Sequence, residues 1–312
     1  MLKTNIKPLI IWFTLVCFAC LSACSQEKSS KILHESLGYH FSYKLDEPVK
    51  TWKLPASLLE ISGLGYIDEK RLACVQDEKG IIFIINSQTG KIDKEIMFGA
   101  SGDYEGIEIT GHDAWILRSD GTLFEVLDFL NKANPAVKDH PTALSIMSDA
   151  EGLAFDPSNN GLLIACKEQP FIDRTDDLGF KAVYRYDIKS GLLDQKPFLL
   201  INPDTLRHYR SHENKGHLTG DQTGSASSLK KMTFKPSGIA IHPVSGDIYI
   251  LASVGKLLLV ISNPGKIQAM VKLNPVIFPK PEGICFSPEG VLFISSEGGK
   301  QEATIMKFAP VE

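Results

Sequence analysis

Three glutamates, Glu105, Glu151 and Glu282, each stand directly before a glycine that opens a short apolar run, and Ser62 and Ser237 hold the same place in two further copies. The copies read Ile61-Ser62-Gly63-Leu64, Tyr104-Glu105-Gly106-Ile107, Ala150-Glu151-Gly152-Leu153, Pro236-Ser237-Gly238-Ile239 and Pro281-Glu282-Gly283-Ile284. If these are equivalent units of a closed ring, their polar side chains meet near its axis. Two carboxylates about 7 Å apart at an effective dielectric near 20 repel by about 2.4 kcal/mol. Three such pairs cost about 7 kcal/mol, which rivals the whole stability of a domain. Such a centre must bind a cation, take up a proton or pair with Lys or Arg. An all-oxygen set suits a hard ion such as Ca²⁺, which accepts roughly 6–8 oxygen ligands, and Asp103 and Asp149 stand close enough to contribute. The competing reading is architectural: each Glu caps backbone amides, and Gly serves close packing at the axis.

Further polar sets are weaker. Asp77 and Glu78, Arg118 and Asp120, Lys167 and Glu168, and Ser296 and Glu297 fall at the ends of second strands, on one face of the disc. They read either as solvated turn charges or as a ligand-binding rim that includes Asp77. A polar stretch holds His208 and His212 with Arg207, Arg210 and His217, which suit an anion better than a metal because no zinc spacing is present. No Gly-x-Ser-x-Gly elbow, His-Glu-x-x-His or P-loop occurs. His112 and His242 lack an activating partner in sequence.

The glycines at 63, 106, 152, 238 and 283 set a period near 45 residues, doubled once. Strand content within such a period is the sequence signature of a β-propeller. Each unit reads strand, turn, strand, turn, strand, with a fourth strand expected at Lys94–Phe98, Thr142–Met147, Pro197–Ile201 and Gln268–Leu273. The last unit has three strands, and an unpaired candidate, Thr51–Leu54, lies upstream of the first. Pairing the two closes the ring and removes both sheet edges. The expected fold is all-β: a five-bladed β-propeller of four-stranded antiparallel blades closed by an N-terminal strand, with six blades as the alternative. Insertions fall near 168–180 and 202–231, the second explaining the doubled gap.

The N-terminus adds an address. A basic leader with Lys3 and Lys7 precedes an apolar run from Pro8 to Ala23, shorter than the roughly 20 residues of a spanning helix. It ends in Leu21-Ser22-Ala23-Cys24, which resembles the bacterial lipobox and marks Cys24 for acylation. Residues 1–23 then form the signal, 24–38 a lipidated tether, and 39–312 the propeller. Ser25 rather than Asp after the Cys favours the outer membrane. Loss of the leader leaves 31 basic against 37 acidic side chains, net −6. With no basic stripe, nucleic acid is excluded as a partner, and the lipid is the only membrane attachment. Cys74, Cys166 and Cys285 remain, and buried free thiols are expected.

The phrases Glu60-Ile61-Ser62-Gly63-Leu64, Val75-Gln76-Asp77-Glu78-Lys79-Gly80, Asp103-Tyr104-Glu105-Gly106-Ile107 and Phe234-Lys235-Pro236-Ser237-Gly238-Ile239-Ala240-Ile241-His242-Pro243 together resemble the SdiA-regulated family. These bacterial envelope proteins are distantly similar to NHL-repeat propellers, and the resemblance runs from about Thr51 to Phe308. It implies a five-bladed propeller, a bound calcium ion, membrane tethering and no established catalysis; the long His-rich insertion departs from the family pattern. The expectation is a monomeric, calcium-binding, lipid-anchored scaffold that meets an envelope protein or small ligand. The alternative is a calcium-dependent phosphoesterase or lactonase.

Overall fold

The computed structural model describes residues 29–174, 179–212, 233–263 and 265–311. The leader, Cys24 and residues 213–232 of the second insertion lie outside these. Two strands, β1 (Lys31–Glu35) and β2 (Lys50–Lys53), precede the first repeat. Blade one is β3 (Ile61–Asp68), β4 (Arg71–Gln76), β5 (Lys79–Asn86) and β6 (Ile92–Met97). Blade two is β7 (Tyr104–Thr110), β8 (Asp113–Arg118), β9 (Leu123–Leu127) and β10 (Ala136–His140). Blade three is β11 (Ala150–Asp156), β12 (Gly161–Cys166) and β13 (Lys181–Asp187), with β14 (Leu192–Leu193) and β15 (Leu199–Ile201) both pairing with β13. The helix α1 (Pro203–His212) follows. Blade four is β16 (Lys235–Ile241), β17 (Ile248–Val254), β18 (Leu257–Ile261) and β19 (Ile267–Lys272); blade five is β20 (Pro281–Phe286), β21 (Leu292–Ser296) and β22 (Thr304–Phe308).

Every pairing is antiparallel, and the innermost strands β3, β7, β11, β16 and β20 touch in sequence, with β20 returning to β3. The five-bladed ring is therefore closed, and the five described sheets leave none for a sixth blade among the described residues. The spare strand fills the place expected of it, since β2 pairs with β22 in the register Thr51↔Met306. Closure is in fact doubled. β1 adds an outer strand to blade four through Lys31↔Lys272 and Ile32↔Val271, so residues ahead of Tyr39 take part in the sheet. The link between them is packed too, with Phe41, Tyr43 and Leu45 buried between blades four and five.

Period-two alternation builds the core. On β4, Leu72 and Cys74 face blade five while Ala73 and Val75 face blade two, and the other sheets repeat this, giving five apolar layers between neighbouring blades. Cys74, Cys166 and Cys285 lie in these layers as buried free thiols. Two expectations need correction. The outer strand of blade two is β10, not Thr142–Met147. The sequence of β10 has little apolar alternation and is held by cross-strand polar contact, with Lys138 and Glu125 in register at 3.0 Å. The second insertion begins as a helix, docked by Leu206 into the layer between blades three and four.

At the axis the repeat glycines explain themselves. A Cβ on Gly63 would lie 2.6 Å from the Ile107 nitrogen, and one on Gly238 2.3 Å from the Glu282 oxygen. Gly106, Gly152 and Gly283 press on the next inner strand in the same way. Any side chain there would push the ring open.

Candidate functional site

In every blade the ladder between first and second strands slips at the repeated phrase. Tyr104 pairs with Arg118 and Gly106 with Leu117, so Glu105 is the extra residue of a β-bulge. Glu151 and Ser237 are skipped likewise, and in blades one and five the skip takes in Ser62-Gly63 and Glu282-Gly283. A bulge re-aims the side chain it frees. Here it re-aims three carboxylates to one place. Glu105, Glu151 and Glu282 line a pocket of about 270 Å³ at the start of the inner strands. A second, far smaller pocket of about 10 Å³ lies at the level of the glycines and shares Glu105, Glu151 and Ser237 in its lining.

Asp77, Asp103 and Asp149 also line it, as do Glu297, Lys167, Lys235 and Lys280. Much of the second expected set thus joins the first: strand alternation brings the ends of β4, β12 and β21 to the same mouth. Arg118 and Asp120 do not join; they pair with each other at 2.7 Å. Lys235 and Lys280 were missed by the sequence reading, although the repeat carries the signal. Two residues before each axial side chain, on the same strand face, stand Glu60, Asp103, Asp149, Lys235 and Lys280. That position is acidic in blades one to three and basic in blades four and five.

The serines act as latches. The Ser62 hydroxyl donates to the Tyr104 carbonyl at 2.6 Å, and that of Ser237 donates to Pro281 O at 2.9 Å, each reaching the inner strand of the next blade. Ser237 reaches the pocket lining and Ser62 does not. His208 and His212 sit on α1, which contributes none of the described lining. His242 is bound to the Tyr43 hydroxyl at 3.1 Å in an aromatic layer with Tyr249 and Phe286.

The carboxylates are compensated unevenly. Lys167 bonds to Glu151 and lies 3.2 Å from Asp149, whose backbone takes the left-handed φ of 50° that Asp tolerates. Lys280 lies 2.6 Å from Glu297 and 3.9 Å from Glu282. Burial still pushes the Glu282 carboxyl up to about 8, helped by Glu151 and Glu297, and it raises Glu151 despite the lysine. On the other side Asp77, Asp103 and Glu105 form no ion pair among the described residues. Burial, then the charges of Glu151 and Asp103, drives Glu105 far above the carboxylate range. Asp77 is pushed up to about 6 by burial and four neighbouring carboxylates, and its Oδ1 is buried without a partner.

No family model matches the chain, and no curated protein matches it. Solved structures similar to it include the PQQ-bound aldose sugar dehydrogenase of Streptomyces coelicolor, at 13% identity and TM-score 0.48 over 86% of this chain and 97% of that one. A protein of unknown function from Bacteroides thetaiotaomicron matches at 10% identity and TM-score 0.48, over 90% and 75%. Virginiamycin B lyase of Staphylococcus aureus matches at 13% identity and TM-score 0.44, over 84% and 99%. The two enzymes among them differ in activity, and the five-bladed fold of this chain rests on its own sheet topology.

The donor chemistry of the pocket suits a hard cation, but the expected shell of Glu105, Glu151, Glu282, Asp103 and Asp149 is not assembled. Among the described residues no three acidic, His or Cys groups stand around one point. Lys167 already holds Asp149 and Glu151, and Lys280 stands by Glu282. What remains for an ion is the side of Asp77, Asp103 and Glu105, whose carboxyls form no ion pair among the described residues, although the Lys280 charge also acts on Asp77.

Proposed function

We propose that this is a non-catalytic binding propeller of the bacterial envelope, held by lipid on Cys24. Its axial pocket takes a cation, Ca²⁺ by ligand chemistry, on the side lined by Asp77, Asp103 and Glu105, whose carboxyls do not surround one point in this structure and must close on the ion as it binds. The supporting observation is the asymmetry of compensation. Lysines already answer Glu151, Asp149, Glu282 and Glu297, while the remaining three carboxyls form no ion pair among the described residues, the Glu105 pKa is raised by burial and Asp77 keeps an unpartnered oxygen. A divalent ion removes both deficits at once, displacing the Glu105 proton as it binds. The resemblance of the repeat phrases to the SdiA-regulated family accords with this reading, as does the lipobox-like Leu21–Cys24.

The test is calorimetric titration of the mature protein with Ca²⁺ in two buffers of different ionisation enthalpy. The expected result is saturable binding with proton release, abolished in Glu105→Gln and in Asp77→Asn. Absence of binding, or binding unaltered by both substitutions, overturns the site. Turnover of a phosphoester or lactone that needs Ca²⁺ and Glu105 would establish a hydrolase instead.

A further inference from the structure

A cavity larger than the axial one lies elsewhere on the ring. A pocket of about 540 Å³ opens between blades five and one, at the seam where the two ends of the chain close the ring. Its floor is aromatic: Trp52 stacks on Phe293 at 6.5 Å, and Tyr66 lies 6.1 Å from Phe293 on the other side. Trp52 is wedged in place, since a Cβ on Gly90 would come within 2.8 Å of it. It is only 5% exposed, yet its indole Nε1–H finds no acceptor among the described residues. A buried donor of this kind normally has a partner.

The charges of the pocket are separated by wall. On the outer wall, Lys50 of β2 and Lys307 of β22 stand directly opposite each other in the register. Like charges so placed repel. Lys50 donates to the Gln88 carbonyl at 2.6 Å and lies 5.3 Å over the Trp52 ring; Lys307 lies 5.9 Å over Phe293. Neither enters an ion pair among the described residues. On the inner wall, Glu69 at the β3–β4 turn and Glu289 at the β20–β21 turn both act on the Tyr66 phenol. Neither has an ammonium partner among the described residues. Two cations and two anions thus face one apolar floor without neutralising one another.

We infer that this seam pocket binds a small zwitterion with an apolar body, of the amino-acid or dipeptide class. Its carboxylate lies toward Lys50 and Lys307, and its ammonium toward Glu69 and Glu289. The volume falls within the range of small-molecule sites. Because both chain ends line the pocket, occupancy ties the closing strand β2 to blade one, so ligand raises the melting temperature. This site is independent of the axial one.

The test titrates the mature protein with leucyl-phenylalanine, its N-acetyl derivative and its C-terminal amide, followed by calorimetry and by Trp52 fluorescence, and is repeated with a panel of free amino acids and dipeptides. The expected result is saturable binding of the zwitterion, about tenfold or more tighter than either blocked form, as the loss of one charge-assisted contact implies. Lys307→Gln removes the discrimination against the amide, and Glu289→Gln removes that against the acetylated form; both side chains lie outside the apolar core, so the variants fold. Blocked and free forms binding equally overturns the inference. So does a panel in which no zwitterion binds, or binding unmoved by both substitutions.

Discussion

Glu151 is 4% exposed, and its carboxylate is bonded to a Lys167 ammonium that also reaches Asp149 at 3.2 Å. Removing one partner of a buried pair strands the other charge, which costs more than the pair contributes. Lys167→Met should therefore destabilise the protein by about 2 kcal/mol, below the usual figure for a fully buried pair because the lysine is partly exposed. Adding Glu151→Gln to that variant should recover much of the loss, as urea denaturation will show. Single and double variants of equal stability would mean that the pair carries nothing. The axial glutamates were legible from sequence because each precedes a glycine in a repeated phrase. Lys235 and Lys280 were not, because the comparison of repeats ended at the residue beside the glycine, two short of the lysines. What the sequence could not yield is which carboxylate meets which ammonium, since that depends on how neighbouring blades stagger about the axis.

Elements buried on both faces announced themselves. β4, β12 and β17 each carry an unbroken apolar run of four or more residues bounded by turn residues, so their places followed from composition alone. The outermost strands did not. β1 reads Lys-Ile-Leu-His-Glu and β10 Ala-Val-Lys-Asp-His, half solvated and short of alternation, and their positions are decided by the edge they cover. The two N-terminal strands differ in consequence. β2 closes the ring, while β1 only widens blade four. A chain beginning at Tyr39 should fold with a lowered melting temperature, because blade five still has its fourth strand. One beginning at Pro55 loses Trp52 and Leu54 from the layer between blades five and one and exposes the β22 edge. It should fail to give a cooperative transition by calorimetry. Equal behaviour of the two truncations would refute the distinction. Gly238→Ala belongs to the same scale. Its new methyl meets a backbone oxygen rather than a flexible side chain, so a loss of about 3 kcal/mol or more is expected.

For the molecule as a whole, the axial pocket reverses the usual pH dependence of a carboxylate. Glu282 titrates near 8 in the folded state, Asp77 near 6, and burial raises Glu105 and Glu151 as well. In the unfolded chain these groups titrate near 4. Between the two values the folded state holds protons that the unfolded state has released, so unfolding stability falls as pH rises. These groups favour the fold fully below about pH 4. That contribution is lost as pH climbs through the folded values, at about 1.4 kcal/mol per pH unit for each proton involved. A melting curve in chelator should thus decline from pH 5 to pH 8, and more gently in Glu282→Gln. Calcium at the proposed site should act in the opposite sense, because an ion held by Asp77, Asp103 and Glu105 would compete with protons for carboxylate oxygens. The stabilisation by Ca²⁺ should therefore be small at pH 5 and grow toward pH 8, so that the two effects separate in one series of thermal scans. A melting temperature that is flat with pH in chelator would show that the buried carboxyls are ionised and matched by charge. A Ca²⁺ increment that is the same at every pH would place the ion on groups other than these three.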